Sequence, residues 1–427
     1  MAFVTFMQRV VTMHMARLYH RFSMPVEGVF ACFNRVLLQD STVISLPKWL
    51  AKSFPGPSNQ SSKKQAAMKL QTVFDLKNDC YENVEMSGFN RNDQAASGDL
   101  LSSLQPGDLV VRDLGYFVLS VFTQIACMGA YFLTRLQSAT CILDPTTHEH
   151  IDLLKLLSKA GNVDVDVLAG AQEKLPTRLI ARRVPPEIAA ERRRKARGNR
   201  DKRAKNTKEK LALLDWEIFL TNVPRHIWTA DTATQVYGFR WRIEILFKAW
   251  KSFLQFTELP HNVSETEVIC LTFARVYNAI QFHCKVWQPV RYTLQAHGKY
   301  ASLLKTVSIF TGPNGERLLH MRQTNPEAFE ATLLQHCCYN QRRRVPCEAI
   351  FDQYTAGNLK TTAQDLLKYG LLEADRKPNL YQVAITQTSA VNRILEPFDL
   401  RLKIDDIRGL AFLVVSEQLF QDGDKTD

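Results

Sequence analysis

The sequence predicts an α/β protein built around a layered sheet, and three observations carry that expectation. Short β-branched and apolar runs come first and then alternate with helical periods, the order that builds a sheet covered by helices. Two acids, Asp40 and Asp113, fall on such runs or at their ends. A third acid, Glu244, sits in YGFRWRIEILFKAWK, residues 237 to 251, whose apolar spacing is that of a helix with one buried side.

Taken in order, residues 1 to 30 read as helical. The run from Arg35 to Leu46 is rich in Val, Leu, Ile and Thr and reads as a strand carrying Asp40, followed by a loop rich in Pro, Gly and Ser. Met68 to Leu76 and Tyr81 to Phe89 are two further strands with a turn at Asn78 and Asp79. Gln94 to Leu104 reads as a helix ended by the Pro106–Gly107 turn, and Asp108 to Asp113 as the next strand. Leu114 to Leu133 is uncharged throughout and as long as a membrane span. Ser120, Thr123, Gln124 and Gly129 interrupt it, so it divides instead into a helix up to Met128 and a strand from Ala130 to Arg135. The pattern then dissolves into an insert and resumes with the strand Trp216 to Thr221, the helix carrying Glu244, and a mainly helical remainder from Ser264.

At 427 residues the chain exceeds the size at which a single core stops growing, so several domains are expected. Its net charge is +11. Between Arg178 and Lys210, 14 Lys or Arg stand against 4 Asp or Glu, a local net of +10 that leaves the rest near neutral. Such a block favours a polyanion such as nucleic acid, while a solvated surface insert has the same composition. Beyond Ile188 the block offers no large apolar residue to anchor in a membrane. Nine cysteines without CxxC spacing give no support to a structural zinc site or to secretion. Arg9, Arg17 and Arg21 precede the first acid, Glu27, but no apolar stretch and cleavage site follow, so the start reads as helical.

On a helix of about 100° per residue, Tyr237, Arg240, Glu244, Lys248 and Lys251 fall within an arc of about 80°. Phe239, Ile243, Leu246, Phe247, Trp250 and Leu254 gather on the neighbouring face, which is therefore the buried one. Three carboxylates, two on neighbouring strands and one on a helix packed across them, can hold two Mg²⁺ or Mn²⁺ ions about 3.5 to 4 Å apart. The cations beside Glu244 would then hold a phosphodiester backbone. Spacing alone also describes a salt-bridged exposed face, and isolated Asp residues at strand ends also serve as caps.

The segment from Tyr237 to Lys251 resembles the Tyr-(2)-Arg-(3)-Glu-(6)-Lys signature of DDE transposases from bacterial insertion sequences. Gln39 to Pro47 resembles the strand of that family's first Asp, and Gly107 to Phe117 that of its second. The resemblance implies a ribonuclease H-like catalytic core interrupted by a β-rich insertion in the long gap between Asp113 and Glu244, which contains the basic block. It implies Asp40, Asp113 and Glu244 as catalytic metal ligands for two Mg²⁺ or Mn²⁺ ions, and Tyr237, Arg240 and Lys251 as phosphate contacts at the transposon end. Trp216 matches a strand Trp that stacks on a flipped base, although a strand Trp is also an ordinary core residue. The implied activity is hydrolysis at transposon ends followed by strand transfer into target DNA, by a homodimer on paired double-stranded ends. A cytoplasmic, nucleoid-associated location in a bacterium and no membrane partner are expected.

The expected organisation is a residual helical segment at 1–30, a catalytic core formed by 31–137 and 211–285, the insertion at 138–210 between them, and a helical C-terminal region at 286–427. Family members usually carry a substantial DNA-binding domain before the first Asp, whereas here Asp40 stands close to the first residue. An inactive, truncated remnant that binds DNA or inhibits transposition is therefore the alternative expectation. A structure-directed nuclease of the same fold is a third.

Overall fold

The computed structural model describes residues 2–18, 28–57, 65–198, 207–338, 345–346, 400–405 and 410–415. They fall into two units, Met1–Cys337 and Cys338–Asp427.

The first unit opens with helix α1, Ala2–Leu18. Strands β1 (Val36–Leu46), β2 (Ala66–Asp75) and β3 (Cys80–Gly88) form an antiparallel meander. Strand β4 (Leu109–Arg112) runs parallel to β1, and after helix α2 (Leu119–Cys127) β5 (Tyr131–Arg135) runs parallel to β4. The insert supplies β6 (Ile142–Leu143), helix α3 (Leu153–Ala160), β7 (Val163–Ala169), β8 (Leu175–Arg183) and helices α4 (Pro186–Arg197) and α5 (Lys208–Leu213). Strand β9 (Trp216–Thr221) lies between β5 and β8, giving one nine-stranded sheet of order β3-β2-β1-β4-β5-β9-β8-β7-β6. The strands of the insert thus continue the central sheet. Residues 199–206 of the basic block lie outside the described residues.

Alternation along the strands sends side chains to two cores. On one face Val36, Leu38 and Ile44 of β1 meet Val236, Ile243, Leu246 and Trp250. On the other, Leu37 and Val110 meet Val121, Phe122 and Ile125 of α2. The apolar side of the uncharged stretch after Asp113 is therefore core, and no helix among the described residues is long and apolar enough to cross a membrane.

Two expected helices are reshaped. Gln94 to Leu104 is turns followed by a 3-10 turn at Asp99–Ser103, because the Ser97 carbonyl accepts from the Arg112 guanidinium instead of joining a helical ladder. The segment carrying Tyr237 and Glu244 is two helices, α6 (Ala230–Gly238) and α7 (Trp241–Phe253), joined through Phe239 and Arg240, which keep right-handed helical dihedrals. The break turns Phe239 outward to 36% exposure, whereas Ile243, Leu246, Phe247, Trp250 and Leu254 are buried as their spacing requires.

Helix α8 (Glu265–Phe282) starts at a Ser264–Glu267 capping box and runs into a π-helical turn, His283–Trp287. Pro289 explains the turn: it has no N–H for the Lys285 carbonyl, and the Gln288 N–H reaches back to His283. Helices α9 (Gln288–Ala296), α10 (Leu303–Phe310), α11 (Gly315–Thr324) and α12 (Pro326–His336) complete the unit.

The expected helical C-terminal region is thus helical as far as His336. In the second unit the described elements are strands β10 (Val345–Pro346), β11 (Leu400–Asp405) and β12 (Leu410–Val415), in the order β10-β12-β11. Apolar residues alternate with charged ones in Leu400–Asp405, a period of two that a helix cannot place on one side.

Candidate active site

Strands β1 and β4 pair in parallel from Val36 with Leu109 to Gln39 with Arg112. Asp40 and Asp113 each follow the last paired residue, so the ladder delivers both at one level. Asp40 is still within β1, while Asp113 caps the short 3-10 turn Leu114–Tyr116. Their strand faces look toward the core that holds α6 and α7, which brings Glu244 and Arg240 over them.

Arg240 ties the group together. One guanidinium nitrogen lies 3.4 Å from Asp40 Oδ2 and the other 2.6 Å from Glu244 Oε1. Its charge outlasts the burial that opposes it, because Tyr237, Asp113 and Glu244 hold its pKa above the ordinary value. The Tyr237 hydroxyl donates to Asp113 Oδ1 at 3.3 Å, and burial together with the Asp113 charge lifts its pKa to about 12. Asp40 is pushed up to about 6, chiefly by burial, with Asp113 and Glu244 adding repulsion against the Ser41 N–H and Arg240. Asp113 and Glu244 thus lie close enough to Asp40 to oppose its ionisation, and one guanidinium bridges Asp40 and Glu244. Carboxylate oxygens are hard ligands of the kind that divalent Mg²⁺ or Mn²⁺ takes.

The remaining sequence-predicted residues fall around this centre. Lys248 and Lys251 are exposed on α7, one and two turns beyond Glu244, and make no ion pair among the described residues. Partial burial lowers the Lys251 pKa. Trp216 begins β9, half-buried against the second core, with the Arg183 guanidinium 5.8 Å from its ring. Its exposed side borders an open cleft of about 400 Å³ shared with Leu114, Arg135, Arg192, Lys195 and Lys210. Trp216 is thus partly core and partly cleft wall, and Leu114 links that cleft to Asp113.

Arg135 is the residue that sequence reasoning missed. It ends β5, with its guanidinium 5.2 Å over the Tyr237 ring and 3.4 Å from Glu217, between the carboxylates and Trp216. Its place follows from β5 pairing with β4, and it lies outside the Tyr237–Lys251 spacing.

The basic block is less available than its composition suggests. Arg178 is buried against Asp164, and Arg182, Arg192 and Arg193 pair with Asp231, Glu217 and Asp215. Arg194, Arg197, Lys208 and Lys210 are exposed.

A tighter cluster of potential ligands, Asp75, Cys80 and Glu82, lies toward the start of β1. It fits a metal poorly. Asp75 already accepts from the backbone N–H groups of Val36, Lys77 and Asn78, Glu82 pairs with Arg35, and burial pushes the Cys80 thiol far up.

A family model for the transposase DDE domain matches residues 31–277. The chain is 29% identical over 264 residues to the transposase for insertion sequence element IS231B of Bacillus thuringiensis subsp. berliner, covering 57% of this chain and 55% of that one. It is 25% identical over 293 residues to the transposase for IS1151 of Clostridium perfringens, covering 64% and 61%. The chain therefore spans a little over half the length of these curated relatives. A solved structure of piggyBac transposase in a synaptic complex with hairpin DNA aligns with a TM-score of 0.38 and 9% identity, over 74% of this chain and 60% of that one.

Proposed function

The chain belongs to the transposase DDE domain family, and we propose from that membership that Asp40, Asp113 and Glu244 form the catalytic centre of a DNA transposase on a ribonuclease H-like core. The observation that supports it best is the Arg240 bridge between Asp40 and Glu244 beside the Asp113–Tyr237 hydrogen bond. It gathers residues from three distant stretches of chain at the end of one parallel strand pair.

In this reading Asp40, Asp113 and Glu244 would hold Mg²⁺ or Mn²⁺, two ions in the fully loaded site. Divalent cations so held polarise water or a 3′-hydroxyl and offset charge on the leaving oxygen of an in-line displacement. In the first reaction a water oxygen bonds to phosphorus and the 3′-oxygen of the element strand leaves. In the second, that freed 3′-hydroxyl attacks a target phosphodiester and displaces the target's own 3′-oxygen.

The protein's role is positioning. Arg240 and Tyr237 lie against the carboxylates and can turn to a phosphate oxygen, and Lys248 and Lys251 extend a phosphate-binding row along α7. Arg135 and Trp216 wall the adjoining cleft, where an unstacked base would find an aromatic face and a cation. Double-stranded transposon ends and target DNA are the proposed partners, with a homodimer on paired ends. The setting is a bacterial cytoplasm, at the nucleoid.

Supercoiled plasmid carrying the DNA that flanks the gene tests this reading. Purified protein with Mg²⁺ or Mn²⁺ is expected to nick it, and Glu244→Ala to abolish nicking while binding persists. Salt-sensitive binding without metal-dependent nicking, identical in wild type and Glu244→Ala, would overturn it.

A further inference from the structure

The same alternation that aims Asp40 and Asp113 at α7 sends their chain neighbours to the opposite face of the sheet. There one segment, residues 92–98 between β3 and the 3-10 turn at Asp99, receives Gln39, Ser41 and Arg112. Gln39 Nε2 donates to the Ala96 carbonyl at 3.1 Å, and Ser41 Oγ donates to Asp93 Oδ1 at 2.8 Å. The Arg112 guanidinium donates to Ser97 Oγ at 2.8 Å and to the Ser97 carbonyl at 2.7 Å, and Ser97 Oγ donates to the Tyr116 carbonyl at 2.9 Å. Asp93 also packs against Gly115, where a Cβ would meet its Oδ2 at 3.2 Å. Gln39 and Ser41 flank Asp40, while Arg112, Gly115 and Tyr116 surround Asp113.

These bonds are costly to assemble if stability alone is at stake. Arg112 is fully buried, and its partners in the loop are neutral Ser97 atoms. Asp99 is close enough to attract it, but no carboxylate among the described residues is hydrogen-bonded to it, and a guanidinium so taken out of water opposes folding. Asp93 is balanced by Lys69 Nζ at 3.0 Å, and its Oδ1 is shared between that ammonium and the Ser41 hydroxyl. The arrangement fixes the ends of β1 and β4 relative to each other from behind, at the level where both carboxylates emerge.

We propose that residues 92–98 form a positioning loop that sets the spacing of Asp40 and Asp113, with Asp93, bonded to Ser41 and packed on Gly115, as its key side chain. The proposal rests on the reading of Asp40 and Asp113 as metal ligands. Changing a residue that orients ligands from behind typically costs about 10–100-fold in metal affinity.

Mn²⁺ binding to the full chain without DNA, measured by calorimetry alongside thermal unfolding, tests it. Asp93→Ala is expected to weaken Mn²⁺ binding about tenfold or more. Asp93→Asn, which keeps the oxygen that accepts from Ser41, is expected to stay within about threefold of wild type, and Ser41→Ala combined with Asp93→Ala to be no weaker than Asp93→Ala alone. A lowered melting temperature with Mn²⁺ affinity unchanged in Asp93→Ala and Ser41→Ala would mark a purely structural loop and overturn the proposal. Should Asp93→Ala not fold, Ser41→Ala decides on the same criterion. Asp40→Asn and Asp113→Asn serve as reference. If these two bind Mn²⁺ like wild type, the metal-site reading itself fails and the positioning role falls with it.

Discussion

Asp40 shows most clearly how a residue's environment sets what it can do. Burial and the neighbouring charges of Asp113 and Glu244 raise its pKa to about 6 from an ordinary 3.8, so its ionised form opposes folding. The sign follows directly. The folded chain holds the Asp40 proton more tightly than the unfolded chain, so stability falls as pH rises from about 4 to about 6 and stays lower above that. Asp40→Asn in the metal-free protein is therefore expected to be more stable at pH 7, by about 3 kcal/mol at most for a shift of about two units. Thermal unfolding across pH 4 to 8 should show that advantage fading toward pH 4. A loss of stability in Asp40→Asn at pH 7 would contradict the electrostatic picture of the site.

Residue identities were legible in the sequence where a residue's role is local. The apolar face of α7 is readable because helical periodicity fixes which side chains share a side, and Ile243, Leu246, Phe247, Trp250 and Leu254 are buried accordingly. The row of Tyr237, Arg240 and Glu244 is adjacent on the expected helix and also in the fold. Arg135 was not legible, because its place over the Tyr237 ring depends on β5 pairing with β4 rather than on any spacing in the chain.

Among the elements, the β2–β3 turn illustrates what periodicity cannot announce. Asp79 takes a positive φ of 54° at this turn, and its carboxylate is met by Arg291 at 2.8 Å, Trp287 at 3.1 Å and His283 at 3.4 Å. The π-helical turn caused by Pro289 brings these donors into line, together with Gln288, which donates to the Asp79 carbonyl. Despite burial, His283 and Arg291 hold the Asp79 carboxyl well below the ordinary range. Leu246 of α7 borders the same pocket, so the clasp adjoins the helix that carries Glu244. Asp79→Ala would leave the partly exposed Arg291 guanidinium and the buried Trp287 N–H without a partner, while His283 keeps the carbonyl of residue 79, and is expected to cost about 1–3 kcal/mol in denaturant unfolding. A cost below about 1 kcal/mol would show the clasp to be incidental. The strands of the meander, by contrast, were readable as elements, since β-branched runs separated by turn residues leave few other conformations.

For the whole molecule, a sheet covered by helices was legible from strands alternating with helices, and its two cores and its extension through the insert were not. Strand pairing between segments so far apart in sequence leaves no local trace, and β7 and β8 carry both acids and cations that find partners only after folding. The same fact explains the basic block. Asp164, Asp215, Glu217 and Asp231 lie outside it in sequence and neutralise Arg178, Arg193, Arg192 and Arg182 in the fold. A charge count over a window of chain overstates the field presented to a polyanion, and among the described residues of the block the exposed Lys and Arg of α4 and α5 beside the Trp216 cleft carry what is left. The carboxylate centre differs because it combines a local signature with two strand ends. Anomalous scattering from crystals of the full chain soaked in Mn²⁺ addresses it without reference to any DNA sequence. Manganese is expected in contact with Asp40 and Asp113, with Glu244 facing it and the Arg240 guanidinium moved off Asp40. Manganese absent from these carboxylates at saturation, or bound only at Asp75, Cys80 and Glu82, would contradict the assignment of the catalytic centre.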